Sequence, residues 1–170
     1  ATHELLARVH QLFSKTNQFN LTTRRYTLAE LAESANDGTS RLIVVRAADR
    51  FGDLGWIGAL LLRNLGAPAA QIENFVLSCR AMGRGIESAV LNHVKQLCFE
   101  RSTCSILQAK YLASAKNAPV RELYEQQGFS RSETEVSGCK LYWLPRENVA
   151  MAACSWISVE DPLSSEQSSS

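Results

Sequence analysis

Cys79 stands at the end of an apolar run, Ile72 to Leu77, and is followed at once by Arg80, Gly83 and Gly85. A thiol at a strand end, beside a guanidinium and the N-terminus of the next helix, has its pKa lowered and can serve as a nucleophile. The other reading of a free cysteine is a small buried core residue. The whole stretch Ile72 to Glu87, IENFVLSCRAMGRGIE, reads as a strand, a glycine turn and a helix start. Glycines at such a junction let a phosphate approach the backbone, and the helix start supplies unpaired N–H groups. The amides around Met82, Gly83, Arg84, Gly85 and Ile86, with the Arg80 and Arg84 side chains, therefore form a candidate site for pyrophosphate or phosphopantetheine. The alternative is a simple tight turn; the glycines precede a helix rather than end one, which favours the anion site.

A second polar cluster lies upstream. Asn17, Gln18 and Asn20 flank Phe19, and Arg24 and Arg25 follow closely. Amides and guanidinium forks suit hydroxyl groups and phosphate, whereas the competing reading is a loop that pins the first helix to a sheet. Downstream, Asn117 and Tyr124 are two helical turns apart, hence on about the same face. Asp49, Arg50 and Asp53 read as a solvated hairpin tip. His10 and His93 have no evident acid or carboxamide partner, so neither is assigned as a base.

These groups need elements to hold them. Leu5, Leu6, Val9, Leu12 and Phe13 repeat with helical period, which predicts a helix over about 4–15. Thr27 followed by Glu30 resembles a capping box opening a short helix over 28–33. Strands are expected over 41–47 and 56–63, joined as a hairpin through ADRFGDLG, and a third over 72–77. Ile86, Val90, Leu91, Val94 and Leu97 make the buried stripe of a helix over 85–100. A strand over 105–110, a helix over 119–127 stopped by Gly128, and a strand over 140–144 complete the series. Strand, crossover helix and strand from Ile72 to Lys110 form a β-α-β unit whose strands are parallel within an otherwise antiparallel sheet. The expected fold class is thus α/β in the broad sense (α+β): a mixed, mostly antiparallel sheet flanked by helices.

The 170 residues suit one domain, expected over 1–160, with a helical part at 1–40 and the sheet core at 41–145. The chain begins at Ala1 and ends in the serine-rich DPLSSEQSSS, so both ends are expected to be cut from something longer. Residues 161–170 then read as a disordered tail or linker. Eighteen Lys and Arg against 17 Asp and Glu leave a formal charge of +1, which argues against nucleic acid as a partner. No apolar stretch is long enough to cross a bilayer and no secretion signal opens the chain; a cytoplasmic location is expected. Five cysteines without paired metal-type spacing argue for reduced thiols and against a metal site.

Arg80-x-x-Gly83-x-Gly85 after a strand, followed by NAPVRELY at Asn117 to Tyr124 and by Gly128-Phe129, resembles the GNAT acyltransferase superfamily. More narrowly, KTNQFNLTTRRYT, DRFGDLG, LSCRAMGRGIE and KNAPVRELYEQQGF are together similar to the C-terminal half of FkbH-like proteins. That resemblance implies an acyltransferase of polyketide assembly lines. Its members load a glyceryl-type three-carbon unit from 1,3-bisphosphoglycerate onto the phosphopantetheine thiol of an acyl carrier protein. An N-terminal phosphatase-like domain of the haloacid dehalogenase type accompanies this half in the family, and its Asp-x-Asp-x-Thr motif does not occur in this sequence. By the same resemblance Cys79 carries the acyl group as a thioester, Tyr124 protonates the leaving thiolate, and Asn117 binds the pantetheine arm of the carrier protein or of coenzyme A. Asn17, Gln18, Asn20, Arg24 and Arg25 would hold the glyceryl or phosphoglyceryl unit. Two rival readings stay open: acetyl-CoA-dependent N-acetylation of an amine, and a non-catalytic module that docks the carrier protein.

Overall fold

The computed structural model describes residues 2–160; the expected tail at 161–170 lies outside them. Helix α1 (His3–Lys15) is capped by Thr2, whose hydroxyl accepts the Leu5 N–H at 3.3 Å, and it buries Val9, Leu12 and Phe13. Helix α2 (Leu28–Asn36) opens on the expected capping box: Glu30 N–H donates to the Thr27 hydroxyl at 3.2 Å, and Thr27 N–H to the Glu30 carboxylate at 2.7 Å. Two of the orphan donors at the helix start are thereby satisfied.

The sheet comprises β1 (Arg41–Asp49), β2 (Gly52–Arg63), β3 (Ala69–Leu77), β4 (Ile106–Tyr111), β5 (Ser130–Val136) and β6 (Cys139–Pro145), in the order β1-β2-β3-β4-β6-β5. Every neighbouring pair is antiparallel except β3 and β4, which α3 (Ile86–Phe99) connects as the crossover. The mixed, mostly antiparallel sheet read from the sequence is therefore the observed architecture.

Strand alternation sends the sheet's side chains into two cores. Ala59, Leu61 and Val76 meet Val9, Leu12 and Phe13 of α1 and Leu31 of α2 on one face. Leu60, Leu62, Ile72, Phe75 and Leu77 meet Val90, Leu91 and Val94 of α3 on the other, together with Leu123 and Tyr124 of α4 (Leu123–Gln126). Each fully buried leucine contributes roughly 1.5–3 kcal/mol, so both helical layers are fixed by burial rather than by propensity.

The departures from expectation have local causes. The β1–β2 hairpin continues almost to its tip, with Asp49 opposite Gly52, because register shifts between Val45 and Arg46 and between Ala47 and Ala48 absorb the irregular sequence. β5, reading SRSETEV, was not expected at all; it is an exposed edge strand with β6 as its neighbour and carries no apolar alternation. The helix expected over 119–127 divides into a 3₁₀ turn, Ala118–Val120, and the single turn of α4, which ends before Gly128 at φ +91°. Asn117 stands just before the first piece without capping it by its side chain, and Tyr124 sits in the second, so the shared helical face expected for them does not exist.

Candidate active site

The parallel pair β3–β4 runs in register only from Ala69 and Ile106 to Ile72 and Ala109, whereas β3 continues to Leu77. A gap opens between the strands toward their C-terminal ends. The chain fills it with Phe19–Leu21: Leu77 N–H donates to Phe19 C=O at 3.1 Å, Leu21 N–H to Phe75 C=O at 3.2 Å, and Leu112 N–H to Leu21 C=O at 2.8 Å. Three fully buried asparagines lock this plug. Asn74 donates to Asn20 Oδ1 at 2.9 Å, and Asn117 donates to the carbonyls of Asn20 and Leu112 at 2.8 and 2.9 Å.

Asn117 also accepts the Ser114 N–H at 2.8 Å and the Tyr111 hydroxyl at 3.1 Å, which exhausts its hydrogen-bonding capacity. Asn20 is similarly committed, donating to Thr16 C=O and accepting from Thr23 N–H and Asn74. The Asn117 amide has no group left over for a pantetheine arm or a substrate, and the Asn20 amide is fully buried. Their polarity, read from the sequence as ligand binding, is spent on backbone groups that the splayed strands would otherwise leave unpaired.

Past Leu77 the chain leaves the sheet: Ser78 N–H donates to Ile57 C=O, and Cys79–Ala81 form a 3₁₀ turn. Gly83 and Gly85 adopt φ +75° and +82°, the left-handed region in which a Cβ is strained, and α3 begins at Ile86 without a side-chain cap. The amides at the start of α3 are therefore engaged by no side-chain cap, while earlier in the turn the Ala81 and Met82 amides donate to the Ser78 and Cys79 carbonyls at 2.9 and 3.3 Å. Met82 packs toward the core, and Arg80 is exposed. Arg84 instead pairs with Asp49 of the hairpin at 2.8 Å, and this guanidinium holds the Asp49 carboxyl below its ordinary value. Trp156 closes the turn from the other side. Its indole N–H donates to Arg84 C=O at 3.0 Å, and a Cβ on Gly85 would lie 2.8 Å from the ring. Neither Asp49 nor Trp156 was singled out from the sequence as part of this turn, for both arrive from distant segments.

Cys79 is exposed and forms one wall of a pocket of about 320 Å³. Asn17 and Gln18 line the same pocket, with Ser78 and, from α1, Arg8 and Lys15. Arg8 is held by Gln11 at 2.6 Å and by the Trp56 carbonyl at 3.0 Å. The core-residue reading of Cys79 thus gives way to an accessible thiol, while Cys98 and Cys104 are buried, and burial pushes the Cys98 thiol up to about 12. Arg24 and Arg25 do not line the pocket. Arg24 pairs with Glu73 and Glu30 and stacks over Tyr26, and Arg25 donates to the Phe13 and Ser14 carbonyls at the end of α1. Both arginines find nearer partners within the fold than a ligand.

Tyr124 is fully buried against Phe129 and Tyr142, with ring centroids 5.3 and 5.4 Å away. Its hydroxyl has no hydrogen-bond partner, and burial raises its pKa well above that of a free phenol. Such a group stays protonated and serves only as a proton donor. The uncapped glycine turn and this orphaned hydroxyl fit coenzyme A: amides for its diphosphate, and a donor for a leaving sulfur. No group of His, Cys, Asp and Glu among the described residues could hold a metal ion.

The fold has close counterparts. A spermidine N-acetyltransferase from Vibrio cholerae, in complex with CoA and spermine, superposes with a TM-score of 0.62 at 17% identity, covering 87% of this chain and 94% of its own. The spermidine/spermine N-acetyltransferase of the same organism, in complex with manganese ions, gives 0.59 at 18% identity, with 86% and 90% covered. No curated protein matches the chain in sequence. The family model described as the acetyltransferase (GNAT) family matches residues 6–129, spanning the plug, the glycine turn, α3 and Tyr124. This chain belongs to the acetyltransferase (GNAT) family.

Proposed function

We propose that the chain is a coenzyme A-dependent acyltransferase in which the Arg80–Ile86 turn binds the donor's diphosphate and Tyr124 protonates the departing sulfur. The observation that carries this reading is the uncapped start of α3 beyond two left-handed glycines. Acyl-coenzyme A would supply the activated thioester when bound. Arg80 and the turn amides orient it, and Tyr124 holds the proton. The simplest acceptor is an amine, as in acetyl-CoA-dependent N-acetylation, the reaction named for the structural neighbours.

A second reading is favoured by the exposure of Cys79 on the pocket wall. Its thiolate attacks the carbonyl of a glyceryl-type acyl phosphate, the C–O bond to phosphate breaks and phosphate leaves; a carrier thiol then takes the acyl group, its proton passing to the Cys79 thiolate. On this route, carried by the four FkbH-like motifs, the acyl donor is 1,3-bisphosphoglycerate, the acceptor is the phosphopantetheine thiol of an acyl carrier protein, and a phosphatase-type domain is the natural companion.

Mixing the protein with acetyl-CoA and a primary amine, and assaying free thiol release that depends on the amine, tests transfer. Loss of CoA binding on replacing Gly83 and Gly85 with alanine is expected, and retention would sink the turn as the diphosphate site. Intact-mass analysis separates the routes. Under turnover, an adduct on Cys79 supports the relay, whereas full activity in Cys79→Ala leaves direct transfer.

A further inference from the structure

Two glycines with positive φ precede α3, and no side chain caps the helix start. Glycine adopts either sign of φ with little cost, so nothing within the turn fixes which way the Arg84–Gly85 peptide unit faces. The restraint comes from the segment beyond β6. Residues 150–157 run back along α3 as a strap: Lys95 donates to Ala150 C=O, and Asn92 exchanges hydrogen bonds with the Ala152 backbone. Ile157 N–H then donates to Cys154 C=O at 2.9 Å, a turn that carries Trp156 to the glycines. There the indole N–H meets Arg84 C=O and the ring rests against Gly85.

Trp156 is 68% exposed, so burial of the ring accounts for little of this placement. What the strap delivers is one polar tie to one carbonyl. An indole is a donor only, so Trp156 competes for none of the turn's own N–H groups. In a trans peptide unit the C=O and N–H point in opposite directions, so holding Arg84 C=O toward the indole turns the Gly85 N–H the other way.

The geometry points to Trp156 as a positioning residue that locks the Arg84–Gly85 peptide unit, keeping the Gly85 amide aimed to donate to the diphosphate of the acyl donor. This inference rests on the acyltransferase reading above and extends the donor site to a segment outside residues 6–129, the span the family model matches. Without the indole N–H, the unit flips between two orientations, and only one of them binds.

The flip can be read at a single peptide bond. Arg84–Gly85 is the only Arg-Gly step in the sequence, so carbon-13 in arginine carbonyls with nitrogen-15 in glycine selects its amide signal in the intact chain. The wild-type chain is expected to give one sharp Gly85 signal that shifts on adding coenzyme A. Trp156→Phe keeps a ring against Gly85 and loses the N–H; because the site lies largely in solvent, the fold tolerates the change. In this variant the signal should double or broaden, and the Kd for coenzyme A measured by calorimetry should rise about tenfold, as for the loss of one hydrogen bond. A single sharp Gly85 signal in Trp156→Phe, or an unchanged Kd, overturns the lock and leaves the acyltransferase reading standing. A wild-type Gly85 signal that stays fixed at saturating coenzyme A, or no coenzyme A binding at all, removes the turn as the diphosphate site and the lock with it.

Discussion

At the residue scale, the chemistry turns on which polar groups the fold has already used. Tyr124 has an unpaired hydroxyl in apolar surroundings, so Tyr124→Phe removes nothing that holds the fold. The variant should unfold at the same or a slightly higher temperature, while kcat falls by about 10²-fold, the usual contribution of a general acid. Unchanged kcat would mean that the ring matters only for packing. Asn117→Ala should behave in the opposite way. It strands two carbonyls and the Ser114 amide, leaves the Tyr111 hydroxyl only the Asn117 backbone carbonyl at 3.4 Å, and is expected to cost about 3 kcal/mol in chemical denaturation, beyond any effect on donor affinity.

At the element scale, Lys95 ties α3 to the end of α4 and to the segment beyond β6. Its buried amine donates to Gln127 C=O at 2.9 Å and to Ala150 C=O at 2.8 Å, both neutral acceptors. Burial lowers its pKa below the ordinary 10.5. Between that lowered value and 10.5 the unfolded chain binds more protons than the native one, so unfolding free energy rises with pH there. The charging penalty is fully present below the native pKa and disappears above 10.5. Lys95→Met should abolish this alkaline rise, which denaturation curves across the window would show. Gly58 serves β2 and β3 differently. A Cβ there would lie 2.4 Å from Leu77 Cδ2 and 2.9 Å from the Val76 carbonyl. Gly58→Ala should therefore destabilise by about 1–3 kcal/mol and disturb β3, which ends two residues before Cys79.

At the scale of the whole molecule, two distant segments converge on the glycine turn that follows β3: the hairpin through Asp49 and the C-terminal stretch through Trp156. Asn92 of α3 fixes that last stretch by exchanging bonds with the Ala152 backbone at 3.0 and 2.9 Å. Trp156 is thus placed to sense what occupies the turn. Adding coenzyme A should change the tryptophan emission, and Trp156→Phe should remove most of the change while leaving the other two tryptophans. An unaltered response in the variant would place the donor elsewhere.

Local patterns in the sequence sufficed for the capped helices, the β-α-β unit and the glycine turn. Each rests on interactions a few residues apart: the Thr27–Glu30 box, the periodic stripe of α3, and glycines before a helix start. The same locality explains the failures. Asn20 and Asn117 looked free, and only the tertiary fold shows them bound to each other's surroundings across the gap between β3 and β4. Arg24 and Arg25 looked like ligand groups until Glu73 and the end of α1 came within reach. The polar strand β5 carries no periodic signal, because an edge strand has one paired side and a solvated surface. Polar residues declare their capacity to bond in the sequence, but which partner claims that capacity is decided when distant backbone groups lose water together.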